Sequence, residues 1–185
     1  LDAQQAGISI APQEINLVPD LTAAENIMLG AHRRGPLGID WKATRALASE
    51  HLLKIDHSID PATRVSALSK AQQQLVQIAR AAATSADILI LDEPTATLTS
   101  RETEKLFAYI RAFRAAGGSI FYISHRLDEI LELSDRISVL RDGAFVCELD
   151  PKTTTKEEMV QAMAGRAIGK GNPAPHVQLE NREVV

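Results

Sequence analysis

Asp92 and Glu93 follow four large aliphatic residues in the run Ile88-Leu89-Ile90-Leu91-Asp92-Glu93-Pro94. An uninterrupted aliphatic run of this length predicts a strand buried on both faces, as in parallel sheets covered by helices. The two carboxylates then stand at the strand's carboxyl end, where ligands bind in open α/β sheets. There one carboxylate can hold Mg²⁺ bound to a nucleotide, and the next can orient or deprotonate an attacking water. The same heptapeptide also fits a buried strand that ends in a solvated acidic turn. Upstream, Leu68-Ser69-Lys70-Ala71-Gln72 reads as the start of a helix capped by Ser69. Amides exposed at a helix N-terminus suit phosphate as well as a cap. Downstream, Ser124-His125-Arg126 ends the next predicted strand.

These residues need elements to position them. Ile8-Ser9-Ile10-Ala11-Pro12 predicts a short strand stopped by proline, with Gln13 just beyond it. Thr22, with Glu25 three places on, predicts a capping box that opens a short helix through Asn26, Ile27 and Leu29. Gly35-Pro36-Leu37-Gly38 is a break, and Asp40 opens an amphipathic helix through Leu47, Leu52 and Leu53. A helix from Lys70 to Thr84 places Leu75, Ile78, Ala79 and Ala82 on one face. After the acidic strand, Thr99 and Glu102 form a second capping box, opening a helix that presents Leu106, Ile110 and Phe113 and stops at Gly117-Gly118. Ser119 to Ser124 predicts another buried strand, and a helix with Leu127, Ile130 and Leu131 follows. Asp142-Gly143, between 137–140 and 144–149, is a hairpin signal, and Thr155 to Gly165 predicts a final short helix. From Ala167 onward Gly, Asn, Pro and Lys suggest a linker, and the alternation from His176 to Glu180 suggests a new strand. This succession predicts an α/β fold with a mainly parallel sheet. The stretch 22–85 is then a helical subdomain inserted before the sheet's second half.

Bulk properties narrow the class. A chain of 185 residues with 45% hydrophobic content supports one core of ordinary size, and 4% aromatic residues make that core aliphatic. A net charge of −4 argues against nucleic acid as the main partner. The single cysteine, Cys147, rules out an internal disulfide framework, suits a reducing cytosol and reads as a small half-buried side chain. No apolar run approaches a membrane span and no signal peptide is visible, so work at a membrane would need another chain to carry the protein there. The chain begins at Leu1 and enters mid-element, as expected of a piece of a longer protein. His32, His51, His57 and His176 show no metal-ligand spacing and are expected to be solvated.

Taken in order, these motifs resemble the ATP-binding subunit of ABC transporters. Leu68-Ser69-Lys70-Ala71-Gln72 is similar to the family's signature, Ile88 to Pro94 to its Walker B strand, and Ala96-Thr97-Leu98 to its D-loop. His125 sits at the switch histidine and Gln13 at the Q-loop. Five motifs in sequence over residues 8–166 are far more specific than any one alone. A narrower resemblance, carried by Gln13 to Pro19, Thr95 to Thr99 and Ser124 to Ile130, is to bacterial monosaccharide importers of the ribose, galactose and xylose type. In that group one polypeptide carries two ATPase domains in tandem. Residues 1–166 would then be a partial first domain, with 20–85 its helical subdomain and 86–166 the second half of its α/β core. Residues 167–185 would be the linker and the start of the second domain.

The resemblance implies a P-loop NTPase-like α/β fold, with a mainly parallel sheet flanked by helices and an inserted helical signature subdomain. It also implies ATP and Mg²⁺ as ligands and a role for each residue. Asp92 would hold Mg²⁺, Glu93 would act as general base or water-orienting group, and His125 would bond the γ-phosphate. Gln13 would touch the metal or the water and relay the nucleotide state. Ser69, Lys70, Ala71 and Gln72 would meet the nucleotide of an opposing ATPase domain, with Thr97 in the D-loop nearby. The implied partners are transmembrane permease subunits, a second ATPase domain in the same chain or a dimer mate, and indirectly a periplasmic sugar-binding protein. The implied place is the cytoplasmic face of the bacterial inner membrane, as a peripheral subunit. Two departures stand out. The signature has Ala71 where the family has glycine, so weakened or asymmetric use of this signature is expected. No Gly-x-x-x-x-Gly-Lys-[Ser/Thr] is present, so the N-terminal phosphate-loop part is expected to be missing and these residues alone to turn over ATP poorly. The alternatives are a soluble ABC-type ATPase of translation or DNA repair, and a non-hydrolysing module that lends structure or a signature to a partner.

Overall fold

The computed structural model describes residues 2–35, 38–84 and 86–165. In chain order the elements are α1 (Asp2–Gln5), β1 (Ile8–Ala11), α2 (Ala23–Ile27), β2 (Arg34–Gly35), β3 (Gly38–Ile39) and α3 (Trp41–Leu53). They continue with α4 (Lys70–Ala82), β4 (Ile88–Asp92), α5 (Ser100–Ala115), β5 (Ser119–Ile123), α6 (Leu127–Leu133), β6 (Ile137–Arg141), β7 (Ala144–Leu149) and α7 (Lys156–Ala164). Two compact units divide between His125 and Arg126.

In the first unit β1, β4 and β5 form a parallel sheet in the order β1-β4-β5. Ser9, Ala11, Leu89 and Leu91 are buried on one of its faces, which packs against α4 and α5. Phe107 of α5 meets Tyr122 of β5 edge-on at 6.5 Å. The other face is open among the described residues: Ile10 is 56%, Phe121 62% and Ile123 50% exposed. Here the structure corrects the expectation of strands buried on both faces. β4 is buried on the Leu89–Leu91 face and half-buried on the Ile88–Ile90 face, and β5 alternates exposed and half-buried. An all-aliphatic run fixes a strand's fitness for burial on both faces, but a neighbouring element must supply the second cover.

Between β1 and β4 lie three helices that pack on one another, α2 on α3 and both on α4. In α3 the buried stripe is Thr44, Ala48 and Leu52, while Leu53, expected inside, is 41% exposed. The spacing of four keeps one face inward, and Leu53 falls off it. α4 touches both the sheet and the helical layer, so Leu75, Val76, Ile78 and Ala79 are all buried with Gln74 and Gln77. The break at 35–38 proves to carry a two-strand pairing of β2 with β3. His32 packs edge-on to Trp41 with ring centroids 5.4 Å apart. His51, expected to be solvated, is half-buried, and that burial lowers its pKa. His176 and the expected linker and strand beyond 166 lie outside the described residues.

The second unit holds α6, the antiparallel pair β6–β7 and α7. Asp142 and Gly143 have φ of 51° and 76°, the positive pair that a tight two-residue hairpin turn requires. Cys147 is half-buried in β7, as expected.

Helix starts follow local chemistry closely. Thr22 with Glu25, Ser69 with Gln72, Thr99 with Glu102 and Thr155 with Glu158 all form complete capping boxes. Thr99→Ala removes an acceptor for the Glu102 amide and a hydroxyl donor to its carboxylate. It is expected to lower stability by about 1 kcal/mol in chemical denaturation, with no change of fold.

Candidate functional site

Parallel strands of matched register end along one edge. Ala11 lies beside Leu91, and Asp92 beside Ile123. Gln13, the Asp92–Glu93 pair and His125 therefore follow the carboxyl ends of three adjacent strands. By register Asp92 belongs to the same sheet face as Ile10, Phe121 and Ile123, the open one.

The chain turns sharply at Glu93. Its φ is 47°, a left-handed conformation that costs a side-chain-bearing residue roughly 1–2 kcal/mol. Surrounding bonds hold it there. The Glu93 amide donates to the Ile123 carbonyl at 2.9 Å, and its own carbonyl accepts from the Ala96 amide at 3.2 Å. The side chain is fixed from the neighbouring strand end. Oε1 accepts from the His125 backbone N–H at 2.9 Å and lies 2.8 Å from His125 Nδ1. When Nδ1 carries the proton, two donors converge on this one oxygen.

The second carboxylate oxygen, Oε2, is buried and has no hydrogen-bond partner among the described residues. The Glu93 side chain is 14% exposed and that of His125 is 73% exposed. A buried carboxylate oxygen without a donor is costly unless something polar meets it in the working state. The arrangement thus offers one anchored oxygen, one buried oxygen without a donor, and an accessible imidazole beside them. Strain and an orphaned acceptor at one residue point to function at that residue.

Gln13 is itself exposed, but its backbone is held. The buried Gln77 side chain of α4 donates to the carbonyls of Pro12 at 2.7 Å and Glu14 at 3.2 Å, and accepts from the Asn16 amide at 2.6 Å. Farther along, buried Asn26 accepts from the Val18 amide at 2.7 Å and donates to the Val18 carbonyl at 3.0 Å. The sequence reading missed Gln77. Its signal was a polar residue in the middle of Leu75-Val76-Gln77-Ile78-Ala79, where an apolar one would continue the core face.

The Ser69 group forms its own cluster at the start of α4. Ser69 Oγ accepts from the Gln72 amide at 3.2 Å, and Gln72 Oε1 accepts from the Ser69 amide at 3.0 Å. Lys70 is exposed, its Nζ 3.4 Å from Gln73 Oε1. Ala71 lies inside the helix, so its methyl group meets no left-handed backbone requirement. Thr97 is exposed in the turn that follows Pro94. The structure thus joins Glu93 directly to His125 and aligns Gln13 and Asp92 with them along the sheet edge. It keeps Ser69, Lys70, Ala71 and Gln72 on a separate helix end.

The sequence profile described as ABC transporter matches residues 1–96. The chain is 47% identical over 171 residues to a fructose import ATP-binding protein of Bifidobacterium longum, covering 92% of the chain and 33% of that protein. It is also 47% identical over 173 residues to a putative ribose/galactose/methyl galactoside import ATP-binding protein of Burkholderia ambifaria, covering 93% of the chain and 33% of that protein. The chain therefore spans about one third of the length of these curated relatives. Among solved structures, a dimeric ATP-binding cassette in a post-hydrolysis state bound to ADP and Pi superposes with a TM-score of 0.69 at 28% identity, covering 80% of this chain and 66% of that one. The P-loop NTPase-like α/β fold expected from the motifs is the fold of this chain. With a parallel sheet ending in Asp92–Glu93, a capped Ser69 helix and a profile match over half its length, the chain belongs to the ABC transporter family.

Proposed function

We propose that the full-length protein hydrolyses ATP to ADP and phosphate to power monosaccharide import. In this reading residues 1–166 belong to the first of two tandem ATPase domains and 167–185 lead into the second. The observation that carries it is the Glu93–His125 pair, with one carboxylate oxygen anchored and the other free, at the end of a parallel strand in a chain of this family. The relatives named for fructose, ribose and galactose import support the substrate class.

Each residue then has a task. Asp92 would hold Mg²⁺, which would supply positive charge to offset that of the phosphates. Glu93 Oε2 takes a proton from the attacking water while His125 fixes Oε1. The exposed imidazole of His125 hydrogen-bonds the γ-phosphate. Gln13 contacts the metal or water from the edge of the neighbouring strand. Ser69, Lys70, Ala71 and Gln72 present the start of α4 to the nucleotide of an opposing ATPase domain, and Thr97 lies on the facing turn. Ala71 does this without strain because the position is helical. The partners are permease subunits, the second ATPase domain or a dimer mate, and a periplasmic sugar-binding protein acting through the permease. Among the described residues no helix is long and apolar enough to cross a membrane. Attachment to the cytoplasmic face of the inner membrane would therefore run through the permease.

Vesicles holding the full-length polypeptide with its permease test this reading. ATP inside should drive uptake of labelled ribose, galactose or fructose when the matching binding protein is outside. ATP turnover indifferent to the permease, with the polypeptide recovered on ribosomes or DNA, would replace transport by a soluble ATPase role.

A further inference from the structure

We infer that Gln77 is a positioning residue that makes Gln13 follow helix α4. Gln77 is 4% exposed and lies among buried Leu75, Val76, Ile78 and Ala79. A glutamine there is costlier than an apolar side chain unless its amide is fully used. Both its Nε2 and its Oε1 are bonded, and every bond goes to one loop. The Nε2 group donates to the Pro12 and Glu14 carbonyls, which flank Gln13 on both sides, and Oε1 accepts from the Asn16 amide. Arg80, three residues farther along the same helix, donates to the Asn16 carbonyl at 3.0 Å. The backbone on either side of Gln13 is thus fixed to α4, while the Gln13 side chain stays exposed.

The other end of that helix is the capped Ser69–Gln72 turn. Ser69 caps the helix that carries Gln77, so a rigid-body shift of α4 would move both. Gln77 then passes the shift to Gln13 through three hydrogen bonds. One helix therefore links the surface proposed to meet a second domain's nucleotide with the residue proposed to sense this domain's own. The inference rests on the roles given to Gln13 and Ser69 under the proposed function.

The test uses the full-length protein assembled with its permease. Amide hydrogen exchange is followed at Asn16, and kcat and KM for ATP are measured for Gln77→Leu, Gln77→Glu, Gln13→Ala and the Gln13→Ala/Gln77→Leu double variant. Loss of the bond in Gln77→Leu is expected to speed exchange at Asn16 roughly tenfold or more. The same variant should lower kcat about tenfold with KM for ATP within about twofold. Gln77→Glu keeps an acceptor for the Asn16 amide and should restore much of its protection, but not kcat, because a carboxylate then faces two carbonyls. The double variant should be no slower than Gln13→Ala alone, since both act through one group. Gln77→Met repeats the comparison if Gln77→Leu loses its cooperative melt. Unchanged exchange at Asn16, or kcat losses that multiply in the double variant, overturns the inference. A slow Gln13→Ala beside a normal Gln77→Leu overturns this inference alone, whereas a normal Gln13→Ala removes the role of Gln13 and the inference with it.

Discussion

Glu93→Gln in the full-length protein is expected to lower ATP turnover by about 10³-fold while leaving ATP affinity within about twofold. The change is nearly isosteric. The amide oxygen can still accept the His125 backbone N–H where Oε1 does now, at 2.9 Å, so the turn at φ 47° and the pairing of the strand ends persist. What changes is the second position. A buried oxygen with no partner becomes an NH₂ group, which donates and cannot take a proton from water. With the roles proposed above, nucleotide binding would rely on other groups and is expected to stay. Single-turnover measurements would show ATP bound and unhydrolysed. Turnover unchanged in this variant would remove Glu93 as the base and leave its strained backbone unexplained. Glu93→Asp is the companion: it keeps the charge but shortens the side chain, so it should lose the His125 contacts and recover little activity.

Lys105→Ala is expected to destabilise the first unit by about 3 kcal/mol at neutral pH. Asp56, just beyond α3, is buried, with its side chain 3% exposed. Its Oδ1 accepts from Lys105 Nζ of α5 at 2.6 Å and from the Ser58 amide at 2.8 Å. Burial pushes the Asp56 pKa up, but the bonds from Lys105 and Ser58 together outweigh it and hold the carboxyl below its ordinary value of 3.8. A lowered folded-state pKa means that the stabilisation is present above the unfolded value and is lost as pH falls through the folded one. Without Lys105 burial is opposed by Ser58 alone, so the folded pKa of Asp56 rises. The variant is then penalised at neutral pH and relieved as pH falls through that raised pKa. The gap between urea melts of the two proteins should therefore narrow as pH is lowered from neutral into the acid range. Asp56→Ala should cost less, about 2 kcal/mol, because Lys105 is 33% exposed and can return to water. A constant gap between wild type and Lys105→Ala across that pH range would show that Asp56 does not depend on this partner.

Features set within a turn of chain were legible in the sequence. Thr22 with Glu25, Thr99 with Glu102, the Asp142-Gly143 hairpin turn and the stop at Gly117 each depend on residues three or fewer places apart. Such bonds form wherever those residues stand in that order, whatever the rest of the chain does. The order of motifs along residues 8–166 was enough to indicate the family.

What folding decided lies between residues far apart. Glu93 and His125 meet across 32 positions, Asp56 and Lys105 across 49, and Gln77 and Asn16 across 61. No periodicity or cap signals such pairs, because their partners are chosen by strand register and helix packing rather than by local backbone. The same holds for burial. Ile88 to Leu91 has the composition of a strand covered twice, yet only the face toward α4 and α5 is deeply buried among the described residues. Side-chain type sets how much burial a residue favours, and tertiary neighbours decide whether it receives it. Thus the sequence by itself determined the family, the elements and the identity of the chemical groups. The tertiary structure decided that Glu93 would be left with one anchored and one free oxygen, and that Gln13 would be tied to helix α4.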